Sequence, residues 1–253
     1  MFKLKVSLIV AMCFMFVMNA HALTLSDAEA VFNNYDKDIS NLQKSITMFE
    51  QVAKESGDPK VKSMAYCDES RAYLTMGDQA KLTNTDALKD YEAGKAAANN
   101  AIKADPDNAM GYFWMSANIG RIGQYKGVLN SLFMLPDFKK YLGKAYEINK
   151  TDPNILEAYG EMYYELPWIA GGSDKKALEY LNASLKNDPN FTLPMVIMGK
   201  VYIKQGEYDK AREILEKVIN YKTPSYRADW LMSDKPLAQK LLNSINQKNA
   251  FAK

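Results

Sequence analysis

The chain has 253 residues, with 32 Lys and Arg against 30 Asp and Glu, one histidine and two cysteines. That length can bury a substantial core, and the near-even charge offers none of the basic excess that nucleic-acid binding uses. Because His21 and Cys13 both fall in the first 22 residues, the rest holds no imidazole and a single thiol. That excludes Ser-His-Asp and Cys-His catalysis there, and zinc or iron sites built on His and Cys.

Residues 1–22 have the three parts of a secretory signal: Lys3 and Lys5, an apolar run to Met18, and the A-x-A pattern Ala20-His21-Ala22. The run is short for a bilayer span, so cleavage after Ala22 is expected rather than anchoring. Met12 stands before Cys13 where a lipoprotein signal carries a small residue, which argues against lipidation. Loss of two lysines leaves 30 basic against 30 acidic residues, a net charge of zero.

Residues 23–104 predict an irregular N-terminal helical region. A helix is expected from Ser26 to Ser56, with Val31, Tyr35, Ile39, Leu42, Ile46 and Phe49 on one stripe and Gly57-Asp58-Pro59 as its stop. Pro59 suits the start of a second helix ending near Gly77. Cys67, on that helix with Ala65 and Ala72, reads as a small buried residue. A polar linker, QAKLTNTD, leads to an alanine-rich helix from Ala87 to Ala104.

Residues 105–220 carry a repeat. Asp105-Pro106, Asp152-Pro153 and Asp188-Pro189 each end one helix and open another. In TLPMVIMGKVYIKQGEYDKAREILEKVIN, Met195, Met198, Gly199 and Tyr202 share one helical face. Gly206 supplies a turn with positive φ, and Ala211, Ile214, Leu215 and Val218 resume the period. This stretch resembles the tetratricopeptide (TPR) consensus, a helical hairpin of about 34 residues that must stack on a neighbour to bury its apolar face. The expected fold is all-α, a right-handed α-solenoid of TPR-like hairpins. Leu135-Pro136 predicts a break in one long helix, and Pro167, Trp168, Gly171 and Gly172 a longer loop in the middle unit. Residues 221–253 predict a capping helix, opened by Thr223-Pro224, over the end of the stack.

First helices of stacked hairpins line a concave side. The stripe beside the core positions gives a candidate groove of Phe113, Trp114, Arg121, Tyr164, Trp168, Lys200 and Lys204. Cations beside aromatic faces suit an anionic or amphipathic ligand or an acidic partner segment. Aromatics at helical spacing are more often core, which is the competing interpretation. Asp and Glu are plentiful only in caps and on solvated faces, so a carboxylate-pair hydrolase is the last of the alternatives. No phosphate-loop or dinucleotide signature occurs. The expectation is a non-enzymatic scaffold with no cofactor and no metal.

Two texts, GYFWMSANIGRIGQ (Gly111 to Gln124) and YYELPWIAGGSDKKALEYLNASLKNDPN (Tyr163 to Asn190), are similar to the T-component proteins of tripartite ATP-independent periplasmic (TRAP) transporters. That resemblance, sharpest at Leu166, Pro167, Gly171, Gly172 and Ala177, implies a periplasmic accessory protein. Its implied partner is the periplasmic solute-binding protein. The apolar N-terminal helix at Val31 to Phe49 leaves homo-oligomerisation open.

Overall fold

The computed structural model describes residues 23–83 and 85–251, and among them there is no strand. The expected export signal, 1–22, lies outside the described residues.

The N-terminal stripe is carried by two helices rather than one, α1 (Leu25–Phe32) and α2 (Ser40–Glu55). α1 starts at Leu25, just before the expected Ser26, and Thr24 caps it through a reciprocal pair of bonds with Asp27. The break has a local cause. Asn34 turns its side chain back to the carbonyl of Ala30 at 2.7 Å, and Asp38 accepts the Ser40 amide at 2.9 Å. Side chains of this kind compete with the helical backbone. Tyr35, Leu42, Ile46 and Phe49 of the expected stripe reach one core, joined by Phe32, whereas Ile39 at the break is 52% exposed and Val31 is outside that core.

Four hairpins follow: α3 (Pro59–Leu82) with α4 (Leu88–Ala104), α5 (Ala109–Lys126) with α6 (Val128–Ile148), α7 (Pro153–Glu165) with α8 (Asp174–Asn187), and α9 (Thr192–Gln205) with α10 (Tyr208–Ile219). Asp58, Asn108 and Asp152 cap α3, α5 and α7 with their side chains. α3 runs past Gly77 to Leu82, and that glycine makes room for a neighbour: a Cβ there would lie 2.5 Å from the ring of Tyr91. Gly206 ends α9 in the left-handed region at φ 78°, and the amide of Glu207 reaches back to Tyr202. α6 continues through Pro136, contrary to the expected break. Much of the half before it is exposed, with Val128, Leu129 and Phe133 open to solvent, so water can satisfy the carbonyl that the missing N–H leaves free.

The last segment starts later than Thr223-Pro224 and serves two places. It is formed by α11 (Arg227–Asp229), a π turn (Trp230–Asp234) and α12 (Lys235–Phe251). Ala238 and Ile245 of α12 complete the core of α9 and α10, as a terminal cover should. Its first turns cross instead to the beginning of the chain. Arg71 lies between the rings of Phe32 and Tyr226, 4.7 Å from each, and donates to Asp229 at 2.7 Å. Asp229 also accepts from the Tyr35 hydroxyl at 2.8 Å, and Arg227 pairs with Asp36. Asp234, 5% exposed, accepts the Thr192 hydroxyl at 2.6 Å.

Two outcomes follow from this closure. Arg71→Ala removes a charged hydrogen bond and two ring contacts, and should lower stability by about 2–3 kcal/mol in urea unfolding; an unchanged midpoint would refute the role given to Arg71. Burial pushes the Asp234 carboxyl up to about 7, against about 3.9 for an unfolded aspartate. Folding therefore takes up a proton between those values, and the Asp234 contribution falls as pH rises from about 4 to 7. Asp234→Asn should gain on wild type by roughly 2–4 kcal/mol between pH 4 and 8. Parallel stability curves for the two proteins would show that Asp234 does not titrate this way.

Candidate functional site

The first helices of the hairpins and the returning C-terminal segment enclose a cavity of about 590 Å³ on the concave face. Its floor and sides come from α3, α5 and α7, with Phe191 and Leu193 at the entry to α9. The start of α6 forms one rim, and residues 226–234 close the opposite side.

One wall is apolar. Phe113 and Trp114 meet edge to face with ring centroids 4.7 Å apart. Met134, Leu135 and Phe138 of α6 and Leu166 after α7 complete that wall. Near the same rim Val128 is 78% exposed and Phe133 83%, while Ser131 between them packs on Gly123 of α5.

The other wall is acidic. Six carboxylates line the cavity, Asp78, Glu157, Glu161, Glu165, Asp229 and Asp234, against two guanidiniums, Arg71 and Arg121. Both arginines are engaged, Arg71 with Asp229 at 2.7 Å and Arg121 with Asp78 at 3.2 Å. Asp78 beside it holds the Arg121 guanidinium firmly in its charged form. The other four carboxylates have no salt bridge among the described residues. Burial, and then the neighbouring Glu161, push Glu157 well above the usual carboxylate range, and the same two causes raise Glu165.

The seven residues expected at the groove divide. Phe113, Trp114 and Arg121 line the cavity together. Phe113 is almost fully buried and serves the core of α5–α7 as well. Tyr164 lies outside the lining, packed on the core of Leu181, Ile197 and Met198. Lys200 and Lys204 stand over its ring at 5.9 and 5.5 Å, and Lys204 also pairs with Asp174. Trp168 belongs to a short 3₁₀ turn (Trp168–Ala170) and is 84% exposed. The acidic wall was missed by the sequence reading. Glu157, Glu161 and Glu165 at i, i+4 and i+8 were a visible signal, since that spacing puts three carboxylates on one face of α7. Among the described residues no group of His, Cys, Asp and Glu is arranged to hold a metal ion, and no helix is long and apolar enough to cross a membrane.

A family model described as "RMD1-3: Regulator of microtubule dynamics protein 1-3" matches residues 24–246. The Rattus norvegicus Regulator of microtubule dynamics protein 3 is 25% identical over 202 residues, covering 73% of this chain and 38% of its own length. The Bos taurus Regulator of microtubule dynamics protein 2 is 30% identical over 105 residues, covering 40% of this chain and 25% of its own. The chain thus spans well under half the length of these curated relatives. Among solved structures, TTC0263, a thermophilic TPR protein of Thermus thermophilus, superposes with a TM-score of 0.60 at 14% identity, covering 86% of this chain and 98% of that one. That likeness establishes the helical-repeat fold.

These matches overturn the transporter interpretation. The residues that suggested a TRAP T-component all lie within the span matched by a different family, and its curated relatives come from animals, whose cells have no periplasm. The periplasmic location and the accessory role at a solute transporter are corrected accordingly. The chain belongs to the family of regulator of microtubule dynamics proteins 1–3.

Proposed function

We propose that this chain is a non-enzymatic TPR-type scaffold whose concave cavity receives an extended segment of a protein partner. Through that binding it would serve the process named for its relatives, the regulation of microtubule dynamics. The observation that carries the reading is the cavity itself. Apolar and aromatic side chains and six carboxylates line one cavity of about 590 Å³, a volume suited to a few side chains. Phe113 and Trp114 offer an anchor slot against Phe138, and Arg121 is held by Asp78 where it can meet a backbone carbonyl of the segment. Trp168 stands beyond the cavity, where it can extend the contact surface.

A second reading, an amphipathic small molecule in place of the segment, is favoured by the apolar continuity from Phe138 to the exposed Leu132 and Val128 at the rim. Native mass spectrometry of the freshly purified protein separates the two, since a retained small molecule adds discrete mass.

The test of the first reading is a selection of short random peptides against the purified chain. Ala117 lines the cavity and is half-buried, so Ala117→Trp fills the slot without entering the core. Selected peptides should share an apolar or aromatic anchor and bind the Ala117→Trp variant at least about tenfold more weakly. Equal binding to the two proteins would reject the groove.

A further inference from the structure

The acidic wall has a feature that packing does not explain. Glu157 is 5% exposed, and its Oε1 has no hydrogen-bond partner although it lines the cavity. An unpartnered carboxylate at such depth is costly, and glutamine or leucine of similar size would avoid the cost. Glu161 follows one turn on along α7, and Asp234 faces the same space from the π turn.

None of these three carboxylates has a salt bridge among the described residues. Arg121, the cation of α5 nearest to them, is committed to Asp78 and Gln124. Arg71 is committed to Asp229. Lys200 of α9 stands over the ring of Tyr164 and does not line the cavity. A bare metal ion is a poor occupant, because no cluster of ligating side chains is arranged for one among the described residues.

We propose that Glu157, Glu161 and Asp234 form a cation-accepting subsite, which takes the ammonium or guanidinium of a lysine or arginine on the bound partner segment. The subsite rests on the groove described above and specifies its partner: a basic residue next to an apolar anchor. An organic cation brings its own hydrogen-bond donors for the Glu157 carboxylate, which turns its oxygens to meet them, and its aliphatic stem lies along the apolar side chains. Glu157 feels Glu161 on its own helix, Arg121 from α5, Asp234 from the π turn and Lys200 from α9. Burial favours the protonated forms of Glu157 and Asp234, and an arriving cation favours release of those protons.

Three probes with one chain and different heads test this: n-octylammonium, 1-octanol and octanoate, titrated calorimetrically into the full chain at pH 7. Octylammonium should bind at least about tenfold more tightly than the other two. Its heat should vary with the ionisation enthalpy of the buffer, reporting proton release, whereas that of octanol should not. Glu157→Gln and Glu161→Gln should each reduce the octylammonium preference at least about fivefold and leave octanol unchanged. Both variants remove an acid from the cavity without changing shape, and a thermal melt at or above that of wild type confirms folding. Equal binding of octanol and octylammonium would overturn the subsite and leave the groove standing. Failure of all three to bind would overturn the subsite as well, while the Ala117→Trp experiment judges the groove independently.

Discussion

Arg71 holds the two ends of the chain together. Stacked hairpins contact only their neighbours, so an open solenoid has no reason to bring residue 35 near residue 229. Here a guanidinium is stacked between Phe32 and Tyr226 and bonded to Asp229, which also takes the Tyr35 hydroxyl. Guanidinium suits this position because it presents flat faces to both rings while keeping its edge donors for the carboxylate. An ammonium could not do both. The closure converts a concave surface into a walled cavity, since residues 226–234 supply one of its sides.

The same closure sets the electrostatics. The returning segment brings Asp229 and Asp234 to a face already carrying Asp78 and the glutamates of α7. The two arginines each neutralise one carboxylate, and the remaining acids stay in a partly desolvated space. The expectation of a cationic groove failed for a packing reason. Lys200 and Lys204 lie on the neighbouring stripe of α9 as their spacing implied, but Tyr164 and Asp174 occupy them. Val196, on the same stripe, is fully buried in the core shared with α10 and α12.

The text that suggested a transporter component is explained by backbone geometry. In the loop after α7, Gly171 adopts φ 95°, and a Cβ on Gly172 would fall 1.8 Å from the carbonyl oxygen of Leu166. Any hairpin making this tight reversal needs the same glycines, so Leu-Pro followed by Gly-Gly marks a loop shape and not a family. The family match rests on residues 24–246 taken together.

The sequence by itself determined the helices and their pairing, because apolar period, Asp and Asn caps and turn glycines act over a few residues. Gly206, Asn108, Asp152 and the buried small residue Cys67 were all legible for that reason. The split between α1 and α2 was not legible, since the apolar spacing runs through it in the sequence while Asn34 and Asp38 break the helix and leave Ile39 exposed. Tertiary structure alone decided the clasp at Arg71 and the path of residues 226–234. Those depend on side chains more than 150 positions apart, as Arg71 is from Asp229. No local pattern encodes such a meeting; it exists only once the stack has curved far enough to bring its ends within reach.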